Sequence, residues 1–313
     1  MIIIIIQNLK LFTWRVDMEG KVKHIFEAAA YGKINEITRY LKAGLDINIG
    51  DEEGYTLLHW AVQEGHVELV KYLIKQGADV NKRDDNGFLP LEIASTKGYF
   101  DIVKLLFENG ADLSLHRNHY TPLHSAAATG RIEIVKFFVE KGMDVNKEDY
   151  SGYTAIHWAT QEGFLEMIKL LVQMGGNIEA KDENGSTPLY IAAAEGHTGI
   201  VEYLISQKIC IDPINEGSSN STPLNVACVY NKIDVVELLL KNNANVEIKD
   251  KQGMTPLFNA ALHGNIEVVK LLLKYNANKN TKDKRGRKIT DIKRPKIKKE
   301  IIELISNDES TTQ

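Results

Sequence analysis

Histidine, cysteine and tryptophan are the residue types best suited to chemistry in this 313-residue chain, which carries nine, two and three of them. His116, His119 and His124 lie close enough in sequence to gather imidazoles around a divalent cation, but no cysteine or acidic ligand lies among them to complete a tetrahedral set. Cys210 and Cys228 are too few for a disulfide framework or a four-cysteine zinc site. The sequence contains no phosphate-binding loop, dinucleotide fingerprint, Gly-x-Ser-x-Gly nucleophile turn or His-Glu-x-x-His pair. The expectation is therefore a non-enzyme, with no catalytic, cofactor-binding or metal-ligating residues and no cofactor.

Composition bounds the alternatives. Apolar residues make up 43% and charged residues 26%, as in ordinary folded chains, which argues against disorder and collagen. No apolar run reaches the ~18 residues of a membrane helix. A net charge of −4 argues against the whole chain being a nucleic-acid binder. Met1 is followed by five isoleucines, shorter than a signal-peptide core of roughly 7–15 residues. Residues 1–17 read either as an extra strand or turn at the array end or as a gene-model extension upstream of Met18.

The reactive side chains fall into a repeating pattern. Thr56-Leu57-Leu58-His59 returns as Leu89-Pro90-Leu91-Glu92, Thr121-Pro122-Leu123-His124 and Thr154-Ala155-Ile156-His157. It returns again at Thr187-Pro188, Thr222-Pro223 and Thr255-Pro256, with starts 33, 32, 33, 33, 35 and 33 residues apart. Alanine follows each start five residues on, and glycine or asparagine nine residues on. Threonine is a helix cap, and proline suits a first helical position because its missing N–H would be unpaired there anyway. Alanine lets a neighbouring helix approach closely, and the glycine permits the positive φ that ends the first helix. A second helix with a 3.6-residue apolar period follows, as in Val67, Leu69, Val70, Leu73 and Ile74. An Asp-x-x-Gly turn, such as Asp149 to Gly152, closes the unit.

This pattern resembles the ankyrin repeat over about residues 20–306. The resemblance implies an all-α fold: an ankyrin-repeat solenoid of helix-turn-helix pairs with β-turn or hairpin fingers, in a single elongated curved array. A unit this short cannot bury its apolar face alone, so stacking is required in any case. The expected organisation is an array over 18–306, following the 1–17 extension. It has about eight repeats, starting near 18, 51, 84, 116, 149, 182, 217 and 250. A degraded C-terminal cap covers 283–306 and a disordered tail 307–313. Glu36 marks the upstream repeat as a cap, because later repeats carry an apolar residue at that place. Lys208 stands where glycine or asparagine is expected, and the 208–221 stretch is two residues longer than its counterparts. It reads as a tolerated longer finger, or as a hinge or partner-contacting loop.

The resemblance also assigns the histidines. His59, His124 and His157 would hydrogen-bond between finger and helix, and His66 and His197 follow the helix-ending glycine, another common family position. Trp60 and Trp158 read as core. Family complexes form along the fingers and first helices, so the residue before each threonine is a partner-binding candidate: Tyr55, Phe88, Tyr120 and Tyr153, joined by Tyr150. Gln63, Glu64, Gln161 and Glu162 add polar and acidic character nearby. The aromatic stripe reads equally as a groove and as rings covering their own turns. Residues 279–299 hold 11 basic and 2 acidic residues, leaving −13 on the remainder. The basic patch comprises Lys284, Arg285, Arg287, Lys288, Lys293, Arg294, Lys296, Lys298 and Lys299. The main expectation is a monomeric scaffold for an unknown protein partner, cytoplasmic, with nuclear or host-cell delivery and a host-directed effector role left open. The alternative is polyanion binding or nuclear import through the basic segment, although nucleic acid is disfavoured because 279–299 has no aromatic for base stacking.

Overall fold

A computed structural model describes residues 20–115, 119–217, 219–291 and 299–306. Among these it holds seventeen α-helices, one 3-10 turn and no extended sheet. Isolated antiparallel bridges close three of the finger loops: Gly50 with Thr56, Asn215 with Ser221 and Lys282 with Lys288. The chain is all-α, and its residues group into two compact units, up to Asp112 and from Leu113 onward.

The first unit has three helical hairpins: α1 (Gly20–Ala30) with α2 (Ile34–Lys42), α3 (Leu57–Gln63) with α4 (Val67–Lys75), and α5 (Pro90–Lys97) with α6 (Phe100–Glu108). The second begins with α7 (Pro122–Ala128) and α8 (Ile132–Glu140), then α9 (Ala155–Gln161) and α10 (Leu165–Gln173). It continues with α11 (Pro188–Glu195) and α12 (Thr198–Ser206), α13 (Pro223–Val229) and α14 (Ile233–Lys241), and α15 (Pro256–His263) and α16 (Ile266–Lys274). A 3-10 turn, Ile289–Asp291, and α17 (Lys299–Ser306) follow. Within each unit the first helix of a hairpin packs on the first helix of the next.

The local chemistry accounts for these elements. Thr56, Thr187, Thr222 and Thr255 each accept, through the side-chain oxygen, the backbone N–H three residues on, at 3.2–3.3 Å. The first helices carry alanine at the stacking seam, and Ala61, Ala94, Ala126, Ala159, Ala192, Ala227 and Ala260 are all 0% exposed. A larger side chain there would force neighbouring hairpins apart. The second helices bury one face, such as Ile134, Val135 and Phe138 in α8, and carry ion pairs outside. Glu133–Lys136 and Glu166–Lys169 are examples, at 3.0 and 2.7 Å. Such exposed pairs contribute only ~0.3–0.5 kcal/mol each. Glu36 is half-buried and pairs with Lys33 at 3.4 Å, whereas its counterparts Leu69 and Ile102 are buried.

The fingers touch through backbone. Glu183 N–H donates to Ser151 O at 3.1 Å, Gly217 to Asn184 at 2.8 Å, Lys251 to Ser219 at 2.8 Å and Lys284 to Gln252 at 2.9 Å. In the first unit Asp85 donates to Glu53 at 3.0 Å. Gly152 makes one of these contacts possible twice over. Its φ is +76°, and a Cβ there would lie 2.7 Å from the Glu183 nitrogen. Gly175 has a φ of +90° but open space around it.

The longer stretch after α12 keeps the stack in register. Lys208 takes the left-handed conformation, φ +60°, in place of glycine. Side chains bridge consecutive loops here as elsewhere. Glu179 Oε1 accepts Cys210 N–H at 2.9 Å, and the Asp212 carboxylate accepts Asn245 N–H at 3.0 Å. The same place is taken by Asn146 Oδ1 accepting from Asn177 at 2.7 Å and by Glu247 Oε1 accepting from Asn278 at 2.7 Å. The extra residues are thus accommodated without losing a rung. Downstream, Ile289, Ile301 and Ile305 are buried, and α17 is tied to α16 by Lys270–Glu300 at 3.1 Å. Residues 1–19, Pro295 and the 307–313 tail lie outside the described residues.

Two expected outcomes follow from this geometry. Gly152→Ala should destabilise by about 2–3 kcal/mol and Gly175→Ala by about 1, because only the first adds a steric clash to the positive φ. Equal urea midpoints for the two variants would contradict the role given to finger contact. Lys208→Gly should instead raise stability by about 0.5–1 kcal/mol by relieving the left-handed lysine, again read from the urea midpoint.

Candidate functional site

The histidines that could have done chemistry are committed to the fold. His59 Nδ1 accepts Thr56 N–H at 3.1 Å, which leaves the proton on Nε2 to donate to Phe88 O at 3.3 Å in the next finger. His157 repeats this, accepting from Thr154 at 3.0 Å and donating to Ala180 O and Ser186 O at 3.0 and 3.2 Å. His124 Nδ1 accepts from Thr121 at 3.0 Å, and its Nε2 reaches Lys147 O at 2.9 Å. Each imidazole therefore ties a helix start to the following finger. His66 and His197 donate from Nε2 to Ala30 O and Gln161 O, capping the first helix of the preceding hairpin. Among the described residues no His/Cys/Asp/Glu group is arranged to hold a metal, and His116 lies outside them. Cys228 is buried, which pushes its thiol pKa well up, while Cys210 is exposed.

Sequence reasoning placed Trp60 and Trp158 in the core and missed their partners. Trp60 Nε1 donates to Asp51 Oδ2 at 2.8 Å, and Trp158 Nε1 to Asp149 Oδ2 at 3.0 Å. Asn259 makes the equivalent bond to Asp250 at 2.9 Å. In every case the acid lies nine residues upstream, so the signal was a period-locked Asp-to-donor spacing. The other carboxylate oxygen accepts finger N–H groups, as Asp51 Oδ1 does from Glu53 and Tyr55 at 3.1 and 2.8 Å. One aspartate thus fixes both the turn and the tryptophan.

The aromatic candidates are assembled on these clamps. In the first unit Tyr55 lies 5.1 Å from the His59 ring and edge-on to Trp60 at 5.5 Å. Tyr55 and Phe88 are half-buried. Burial, with the Asp84 and Asp51 charges, pushes the Tyr55 phenol well above its usual range. Gln63 is half-buried with Oε1 shut away from solvent and unbonded, while Glu64 is exposed. In the second unit Tyr120 and Tyr153 stack on His124 and His157 at 5.6 and 5.2 Å. Both meet Trp158 edge-on, at 5.4 and 5.1 Å. Burial, with nearby carboxylates including Asp182, pushes the Tyr153 phenol up to about 12. Gln161 is half-buried, and Glu162 is exposed. Tyr150 projects from the fourth finger at 72% exposure. The three tyrosines therefore pack on the histidines of their own repeats and, like Phe88, show solvent only part of their surface, whereas Tyr150 is exposed.

The basic candidates divide similarly. Arg287 is held by Asp283 at 2.7 Å, and Lys299 lies 3.5 Å from Glu303. Lys284, Arg285 and Lys288 are exposed. Lys293, Arg294, Lys296 and Lys298 lie outside the described residues.

A family model described as "Ankyrin repeats (3 copies)" matches residues 25–117, 113–182, 174–250 and 214–283. The chain belongs to the ankyrin repeat family. Ankyrin repeats are generally protein–protein interaction modules and are typically non-enzymatic. The chain is 48% identical over 52 residues to "Acyl-CoA-binding domain-containing protein 6" of Bos taurus, 16% of this chain and 18% of that protein. It is 36% identical over 59 residues to "Ankyrin repeat domain-containing protein 40" of Mus musculus, 18% of this chain and 16% of that protein. The chain therefore spans less than a fifth of the length of these relatives. Among the described residues no helix is long and apolar enough to cross a membrane.

Buried neutral histidines make stability depend on pH. Burial lowers the His59 pKa to about 4 from 6.5 and lowers that of His157 in the same direction. The unfolded chain then takes up protons first, so stability is complete above pH ~6.5 and falls as the pH drops toward 4. Between pH 7.5 and 5.5 His59 alone should cost about 1–1.5 kcal/mol, with a further loss from His157. The raised carboxyls Asp51 and Glu53 act in the opposite sense at lower pH. A flat thermal-stability profile over this window, or no flattening in a His59→Gln/His157→Gln variant, would contradict the neutral Nε2–H assignment.

Proposed function

We propose that this ankyrin chain is a non-enzymatic scaffold that binds a partner protein through its fingers and first helices, with the second-unit aromatic cluster as anchor. The supporting observation is Tyr150, exposed on a finger clamped by Asp149 to the Trp158 cluster with Tyr120 and Tyr153. A large ring displayed on a rigid, already packed base offers contact area with little ordering cost. In the first unit Tyr55, Phe88, Gln63 and Glu64 are the candidates for a second contact face, with their rings half-buried. The acyl-CoA chemistry in one relative's name is not carried over, because so little of that protein is matched. Polyanion binding is the weaker reading: Arg287 is held by Asp283, and the exposed cations of the described stretch 279–291 are Lys282, Lys284, Arg285 and Lys288.

Tyr150→Ala should weaken partner binding by about 2 kcal/mol while leaving the circular dichroism and urea midpoint unchanged. Tyr153→Ala should lose both affinity and stability, because that ring also packs on His157 and Trp158. A photo-cross-linker at position 150 identifies the partner, and titration of that partner measures the effect. Unchanged affinity for both variants would refute the anchor.

A further inference from the structure

The second unit's finger tips from Tyr150 to Arg285 are sorted by charge. Tyr150 begins the series, Glu183 and Glu216 follow on the next two fingers, and Lys251 and then Lys284 with Arg285 occupy the last two; all are exposed. The backbone bonds already described join each finger to its neighbour, so these side chains stand on one continuous ridge in fixed order. The first helices repeat the acidic part of the pattern. Glu162 and Glu195 are exposed at the ends of α9 and α11, and burial followed by the Glu195 charge raises the Glu162 carboxyl. The finger aspartates Asp149, Asp182, Asp250 and Asp283, each with Oδ1 accepting a backbone N–H of its own turn, lie beneath the tyrosine, acidic and basic tips alike and so do not set their order. One tip carboxylate, Glu216, pairs with Lys181 at 3.0 Å, and both side chains are exposed. An exposed pair of this kind is worth little and can be exchanged for a partner's charge.

We infer that the ridge takes an extended segment of a partner protein whose side chains run in complementary order: an apolar or aromatic anchor beside Tyr150, then basic residues, then acidic residues. This rests on the partner-binding reading above and gives the partner its chemistry. Adjacent hairpins pack ~8–10 Å apart, and an extended chain advances ~3.3 Å per residue, so about three residues of segment match one finger. Matching signs favour one alignment, while a shuffled order sets like charges against each other.

The test uses the full chain and three fluorescent peptides of identical composition, each with a tryptophan anchor and a charge every third residue. One runs Trp-Lys-Lys-Glu-Glu along the anchor positions, one Trp-Glu-Glu-Lys-Lys and one Trp-Lys-Glu-Lys-Glu. At low ionic strength the first should bind at least tenfold tighter than the other two, and the advantage should shrink in 0.5 M salt. A Glu183→Lys/Glu216→Lys/Lys251→Glu/Lys284→Glu variant should invert the preference. The simpler Lys284→Glu/Arg285→Glu variant, confined to one exposed tip, should reduce it if the fourfold variant does not fold. Equal binding of all three peptides, or a preference that survives charge reversal, overturns the inference. So does tighter binding of a single-stranded oligonucleotide than of any peptide. If Tyr150→Ala weakens binding tenfold while order has no effect, the anchor stands and the charge order falls; discrimination without any Tyr150 effect gives the converse.

Discussion

A hairpin of a seven- or eight-residue helix and a nine-residue helix cannot cover its own apolar surface, and every other feature of the chain answers that constraint. Leu57 and Leu58 are buried because another hairpin lies on each side of α3 within its unit. Burying such a leucine contributes ~1.5–3 kcal/mol, which no isolated hairpin could realise. Stability therefore resides in the seams between hairpins, and a seam demands small residues. The alanine five residues after each threonine meets this at the helices. The finger glycine meets it at the loops, where it gives way to the next finger's backbone nitrogen.

The polar side chains serve the same seams. An imidazole between a threonine N–H and the next finger's carbonyl satisfies two backbone groups that burial would otherwise leave unpaired. Asn225 shows that the requirement is a donor at that reach and not a histidine: its Nδ2 donates to Ile248 O at 3.0 Å. Tyr190 occupies the same helix slot and reaches the next finger through side chains instead, its hydroxyl lying 3.2 Å from the Ser221 hydroxyl. In this repeat the aromatic stands in the helix slot, Tyr190, and the finger slot holds Ser186.

Much of this was legible from sequence because it is written once per repeat. Thr-Pro or a close variant, the alanine, and the two places usually held by glycine or asparagine recur in phase, and a pattern repeated seven times specifies its own fold. The candidate face was less legible for a physical reason. A half-buried ring and a ring that binds a partner have the same residue type and spacing, and only packing separates Tyr153 from Tyr150. The Trp–Asp clamp escaped notice because each partner has a sufficient local reading, the aspartate as a turn residue and the tryptophan as core. Their nine-residue separation carries meaning only when compared across repeats.

The division of labour constrains how such a chain can acquire a partner. Side chains beneath the fingers hold helix starts, turns and neighbouring hairpins at once, so changing them moves the fold together with any binding face. Tyr55, Tyr120 and Tyr153 sit in this layer, packed on histidine and tryptophan. The two residues at each finger tip do not, because the turn is held by the aspartate below them and by backbone. The exposed tip side chains from Tyr150 onward can therefore change charge at little cost to stability, and they do differ from finger to finger: tyrosine, then glutamates, then lysines and arginine. Variation concentrated where the fold is indifferent to it is where specificity for a partner can be written.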